Sequence, residues 1–319
     1  MLEGLEAILD KQAVISTVNA DDLLHNPQKV EGDYQKHVGT FIPMGNVEAF
    51  SERLTKRVLD AKTPKGLIVA PYGYGKTSTL AFLWRECERQ ELVAVPPFYC
   101  ATLLDILKAT YGWVKFRLER RQPGLVANLD EVYHKYTAAT VEEMAERHAR
   151  EHGVAQVTAV NMLNDMLQDG SLVLELTPPN LLFFLDATAV LAIRAGFKGL
   201  VTLPDEFQQY FGKTTNLRRT VQEFREFIWG LDTRANSLGV VFSLPTYTEA
   251  GIQSPGKDVL HRLKKDDLYY QLEDIYTVDF PTRLWQRYAR IFQLGDVADQ
   301  VIDKHTLRAI GQITERDDL

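Results

Sequence analysis

The chain has 319 residues, 45% of them apolar and 25% charged, so it can bury a sizeable core and is not a disordered polymer. Its net charge of −7 offers no global field for nucleic acid, although a local basic patch leaves nucleic acid open as a partner. Two cysteines, Cys87 and Cys100, supply neither a disulfide framework nor a four-ligand zinc pattern and point to a reducing, cytoplasmic setting.

The acidic start, Met1-Leu2-Glu3-Gly4, lacks the charged and apolar regions of a secretory signal. The longest apolar run, residues 181–193, contains Asp186 and falls short of the roughly 20 residues a membrane helix needs, so no membrane partner is expected. Residues 1–63 form a helical lead-in. Within it, Val47, Phe50, Leu54 and Val58 share one helical face, and Pro64 stops the pattern.

Five short strand candidates follow, at 66–70, 92–98, 199–203, 238–244 and 275–280. Several are unbroken apolar runs separated by helical patterns, which predicts an α/β core over 64–280 with a parallel five-stranded sheet flanked by helices. The span 101–197 is longer than one crossover requires and reads as a large helical insertion. Its segment 141–152 is rich in helix formers. Asn180 is a candidate cap for a helix carrying Leu182, Phe183, Leu185 and Leu191, and Gln122-Pro123-Gly124 and Thr177-Pro178-Pro179 mark breaks. Residues 281–319 form a partial helical lid, with Leu284, Tyr288, Ile291 and Phe292 on one stripe, Val301, Leu307 and Ile310 on another, and Gly295 between them.

The chemistry starts where the first strand runs through Ala70 and Pro71 into Tyr72-Gly73-Tyr74-Gly75-Lys76-Thr77-Ser78. A strand, a glycine loop and a helix with Leu80, Leu83, Trp84 and Cys87 at helical spacing make the context of a Walker A loop. Glycine lets several backbone N–H groups turn toward phosphate, and the helix directs its positive end at the anion. Lys76 would bridge the terminal phosphates, Thr77 would place its hydroxyl on magnesium, and Ser78 would support the first turn. Ala70 stands where the motif has its first glycine, and the bland alternative is an ordinary glycine turn before a helix.

Such a site needs carboxylates at the end of a second strand, and Gly199-Leu200-Val201-Thr202-Leu203-Pro204-Asp205-Glu206 supplies them. Asp205 would hold hydrated magnesium and Glu206 would act as general base on the attacking water. Taken alone, an Asp-Glu pair is as readily a solvated turn. His148 and His152, four apart, lack a clear third metal ligand and read as part of a solvated face. The aromatic run Tyr269, Tyr270, Tyr276 and Phe280 reads as packing, with base stacking as the alternative.

This order of elements is similar to the AAA+/STAND branch of P-loop ATPases over most of residues 40–319. Within that branch, the loop from Ala70 to Ser78, the following Phe82-Leu83-Trp84-Arg85-Glu86-Cys87 and the late Leu203-Pro204-Asp205-Glu206 resemble ATPases of bacterial phage-defence systems such as the large BREX ATPase. The resemblance implies binding and Mg2+-dependent hydrolysis of ATP, with Thr246 after the fourth strand sensing the γ-phosphate and Ser243 as runner-up. It implies that Arg262 reaches a neighbour's ATP as an arginine finger; a solvated helical arginine is its plain alternative. The implied partners are other copies of the chain or defence-complex proteins, with DNA or a protein complex as the object of an oligomeric motor or switch. A slowly turning, nucleotide-gated signalling or scaffold protein is the alternative, and a metabolic kinase would need an acceptor pocket that no motif marks. The branch usually continues past the lid with a Gly-x-Pro-Arg-like segment, absent before Asp317-Asp318-Leu319, so a truncated ATPase portion is the expectation.

Overall fold

The computed structural model describes residues 17–41, 43, 46–172, 174–212, 217–265, 268–272, 280–291, 294 and 302–316. Its centre is built from the unbroken apolar runs. Strands β1 (Lys65–Val69), β2 (Val93–Ala94), β4 (Leu200–Thr202), β6 (Leu238–Leu244) and β7 (Tyr269–Gln271) pair in parallel in the order β2-β4-β6-β1-β7. All five residues of β1 and all seven of β6 are buried, as strands covered on both faces must be.

Two further short strands, β3 (Phe98–Tyr99) and β5 (Pro204–Asp205), pair in parallel with each other as a separate two-stranded sheet. The expected strand at 92–98 is therefore two strands, parted at Pro96 and Pro97, which have no N–H to donate to a ladder. The fifth strand also differs from expectation. It is Tyr269–Gln271; of the expected 275–280, residues 275–279 lie outside the described residues and Phe280 begins a helix.

Helices cover the sheet. The lead-in contributes α1 (Ala20–His25), α2 (Pro27–Thr40) and α3 (Val47–Leu59), the last burying Val47, Phe50, Leu54 and Val58. Helix α4 (Lys76–Arg89) follows the glycine loop and buries Leu80, Leu83, Trp84 and Cys87. Between β3 and β4 come α5 (Leu103–Arg121), a 3-10 turn (Pro123–Leu125), α6 (Val126–His152), α7 (Gln156–Gln168) and α8 (Pro178–Arg194). Helix α8 starts from Thr177 with Pro178 in its first turn. Asn180 is thus inside the helix and not its cap; it is buried and donates to Thr140 Oγ1 at 3.2 Å.

The helices between β3 and β4 divide in two. Helices α5 and α8 belong to the main core, with Trp113, Leu118, Phe184 and Leu185 buried in it. The far half of α6 and α7 instead surround their own small cluster, Met144, Ala145, Ala159 and Leu163. Helix α1 crosses α5 at Gly112, where a Cβ would lie 2.6 Å from the Leu23 carbonyl oxygen, so only glycine permits the approach. Nearby, Trp84 meets Tyr34 edge-on at 5.9 Å and Trp113 at 6.2 Å, and the Tyr34 hydroxyl donates to the Pro97 carbonyl at 2.8 Å.

After β4 and β5 the chain forms α9 (Gln208–Gly212) and α10 (Leu217–Asp232), and after β6 it forms α11 (Thr246–Ile252) and α12 (Lys257–Lys265). Helices α13 (Phe280–Ile291) and α14 (Lys304–Arg316) follow β7, with Leu307 buried and Ile310 exposed; Gly295 and Val301 lie outside the described residues. Among the described residues, no helix is long and apolar enough to cross a membrane.

Candidate active site

Parallel strands deliver their following loops to one edge, and in open α/β sheets that edge is where ligands bind. Here the loop after β1, the carboxylates at β5 and the end of β6 meet. The loop turns on Gly73 and Gly75, at φ 82° and 83°, a left-handed conformation that costs a glycine little. A Cβ at either position would meet nothing within 4 Å, so the backbone angle, not crowding, calls for glycine. Gly75 immediately precedes α4 and no side chain caps the helix, whose first N–H groups have no partner within it.

Lys76 is buried, and its Nζ donates to the carbonyls of Ala70 at 3.2 Å and Pro71 at 3.0 Å. It also lies 5.1 Å from the centre of the Tyr72 ring. Burial lowers its pKa from the usual lysine value, while Glu206 and Asp205 act the other way. Ser78, on the next turn, meets His37 Nε2 of α2 at 3.1 Å.

Asp205 is the hub. It is fully buried, and three hydroxyls converge on it: Thr77 at 2.5 Å and Thr17 at 3.2 Å donate to Oδ2, and Ser243 donates to Oδ1. A buried carboxylate is tolerable only when its lone pairs are so occupied. Its position comes from the backbone, since Tyr99 pairs with Asp205 and the Cys100 N–H donates to the Asp205 carbonyl at 3.1 Å. Pro204 thus does not disturb the carboxylate; it sits in the short β3–β5 pair.

Glu206 is half-buried with φ 51°, a left-handed angle uncommon for a residue with a side chain. Its carboxylate accepts from Gln208 Nε2, which also donates to the Tyr72 hydroxyl at 3.0 Å. Tyr72 stacks on Tyr247 with ring centres 6.0 Å apart, and the two hydroxyls share a hydrogen bond at 3.3 Å. That hydrogen bond, partial desolvation and the nearby Glu206 push the Tyr72 phenol up to about 12.

The structure therefore brings together Tyr72, Lys76, Thr77, Asp205 and Glu206. Of the two polar residues on the fourth strand and after it, Ser243 touches Asp205, whereas Thr246 is exposed at the start of α11 and its N–H donates to the Ala70 carbonyl at 3.3 Å. Arg262 is not in this group. It pairs with Asp232, lies 5.2 Å from the Trp229 ring centre, and shares Asp232 with Lys65, the first residue of β1 and so at the opposite end of the strand from the glycine loop. Thr17, His37, Gln208 and Tyr247 went unnoticed in the sequence. Only Gln208, two residues beyond Glu206, carried a local signal that could have drawn attention.

Thr77 and Asp205 form a hydroxyl–carboxylate oxygen pair of the kind a small hard cation takes. Among the described residues, no cluster of three His, Cys, Asp or Glu side chains is arranged for a metal, and the His148 and His152 rings, 4.3 Å apart, gain no third partner of that kind. Compared with protein-family models, curated proteins and solved structures, the chain matches none.

Proposed function

We propose that the chain is a P-loop ATPase of AAA+-like organisation that binds MgATP at the glycine loop and hydrolyses it. The observation that carries this reading is the 2.5 Å contact between Thr77, in the first turn of the helix after the loop, and Asp205, 128 positions later at the end of another strand. A turn formed for purely structural reasons needs no such partner. A nucleotide–magnesium site needs both oxygens side by side.

In this reading Tyr72, Gly73, Tyr74 and Gly75 shape the cradle, and Ser78 extends the first helical turn. Lys76 exchanges its two loop carbonyls for the β- and γ-phosphates. Thr77 and Asp205 would hold magnesium, which would supply positive charge to neutralise those phosphates. Glu206 accepts a proton from water as the water oxygen attacks the γ-phosphorus; the bond to the bridging oxygen breaks and its electron pair leaves with ADP. Ser243 at the end of β6, lying between β1 and β4 in the sheet, supports Asp205 from the side, and the Thr246 N–H ties α11 to the loop's start.

Arg262 takes no part in the site of its own chain, and it can serve a neighbour's only by leaving Asp232 and Trp229. The wider role, an oligomeric motor or switch in phage defence or DNA transactions, is supported by resemblance of the sequence alone. Isothermal titration with ATP and magnesium tests the core of the proposal. The wild type should bind, Lys76→Ala should lose binding, and Glu206→Gln should bind normally while turnover falls about 10²- to 10⁴-fold. Equal ATP affinity in folded wild type and Lys76→Ala would sink the assignment.

A further inference from the structure

Gln208 is 6% exposed, and its amide is used unevenly. Nε2 spends both hydrogens, one on Glu206 and one on the Tyr72 hydroxyl. The carbonyl oxygen, Oε1, is buried and has no hydrogen-bond partner among the described residues. A buried amide oxygen without a donor is costly, of the order of a lost hydrogen bond, and such atoms cluster where a ligand or water completes them. The fold could have avoided this cost with an apolar side chain, because Phe207, Tyr210 and Phe211 beside it are all buried apolar residues.

Resting on the ATPase reading, we infer that Gln208 is the positioning residue for the attacking water: Nε2 aims the Glu206 carboxylate while Oε1 accepts one hydrogen of the water whose other hydrogen goes to Glu206. A water needs two to four polar partners to be held in one orientation, and a single carboxylate leaves it free to swing. The amide and the carboxylate together fix both hydrogens and leave a lone pair for the phosphorus. Tyr72 completes the device. It belongs to the phosphate loop, its ring lies beside Lys76 and its hydroxyl holds Gln208, so a shift of Lys76 onto phosphate is passed to the water site through one ring and one amide. No group is transferred through Gln208; it gains and loses no proton.

The test compares wild type, Gln208→Leu and Gln208→Glu in steady-state hydrolysis of MgATP, beside titration with a non-hydrolysable ATP analogue. Gln208→Leu should bind the analogue within about twofold of wild type and lose kcat on the order of a hundredfold, with KM nearly unchanged. Gln208→Glu should recover part of that kcat, because its carboxylate oxygen can still accept a hydrogen of the water. An unchanged kcat in Gln208→Leu, or a kcat in Gln208→Glu no higher than in Gln208→Leu, overturns the inference. Loss of analogue binding in both variants makes Gln208 structural and overturns it too. A wild type that does not bind the analogue overturns the ATPase reading itself, an outcome the titration separates because it involves no water chemistry.

Discussion

The carboxyl edge of the sheet and the outer helical hairpin, formed by the far half of α6 with α7, are organised in opposite ways. At the sheet edge, groups distant in sequence converge on one buried carboxylate: Thr17, Thr77 and Ser243 all donate to Asp205. In the hairpin, four residues make the buried cluster, Val157 is 73% exposed, and the ion pairs Arg150–Glu146 and Arg147–Glu175 lie on the surface, where such pairs contribute little. At the edge, buried polar groups converge on one carboxylate, whereas the small cluster inside the hairpin is made of apolar side chains alone. The edge should therefore be intolerant of single-atom changes, and the hairpin tolerant of wholesale ones.

The largest effect is expected at the hub. Asp205→Asn keeps the shape but sets an amide against three hydroxyl donors, so magnesium-dependent ATP binding should disappear and stability should fall by about 1–3 kcal/mol. Calorimetric melting with nucleotide titration reads both. Retained magnesium dependence would remove Asp205 from the site.

The hairpin gives the contrasting expectation. Replacing residues 142–174 with a short glycine-serine linker should leave ATP affinity and kcat within about threefold and melting still cooperative, since the small cluster goes as a unit. Removing the whole of 101–197 should abolish folding, because Trp113, Leu118, Phe184 and Leu185 go with it. A folded, active deletion of the larger span would erase the distinction drawn between the outer hairpin and its supporting helices.

The smallest effect concerns Glu88, on the side of α4 away from the hub. Burial raises its pKa from 4.5 to about 7, although Arg117 at 2.6 Å opposes the shift. The folded form thus holds a proton that the unfolded form releases at lower pH. The stability this gives is complete below about 4.5 and is lost as pH rises through about 7, at no more than about 1.4 kcal/mol per pH unit. Glu88→Gln should flatten the melting temperature across that window, and an unchanged slope would assign it to another group.

Much of the sheet was legible because a strand buried on both faces announces itself as an unbroken apolar run; β6 matched at both ends. The fifth strand was not legible, since Tyr269–Gln271 is three residues long and no more than half-buried, and so lacks that mark. Lys76, Thr77 and Asp205 stood out by local pattern. Ser243 was visible only as a second choice behind Thr246, and its contact with Asp205, like that of Thr17 across 188 positions, depends on how strands are ordered, which no local pattern encodes. Asn180 misled because a cap-forming residue inside a Pro-initiated helix can instead bond sideways, here to Thr140.

The edge-to-face indoles have an optical consequence. Trp84 sits eight residues along α4 from Lys76, about 12 Å of helix, in edge contact with Trp113 of α5 and Tyr34 of α2. Trp84 is 3% exposed and should emit toward the blue, whereas Trp229, 41% exposed beneath Arg262 at the other end of the sheet, should emit further to the red. The blue side of the unlabelled protein's fluorescence should therefore follow the buried pair Trp84 and Trp113, and so the packing of the glycine-loop helix α4 on α5, while Trp229 on the red side reports the opposite end of the sheet.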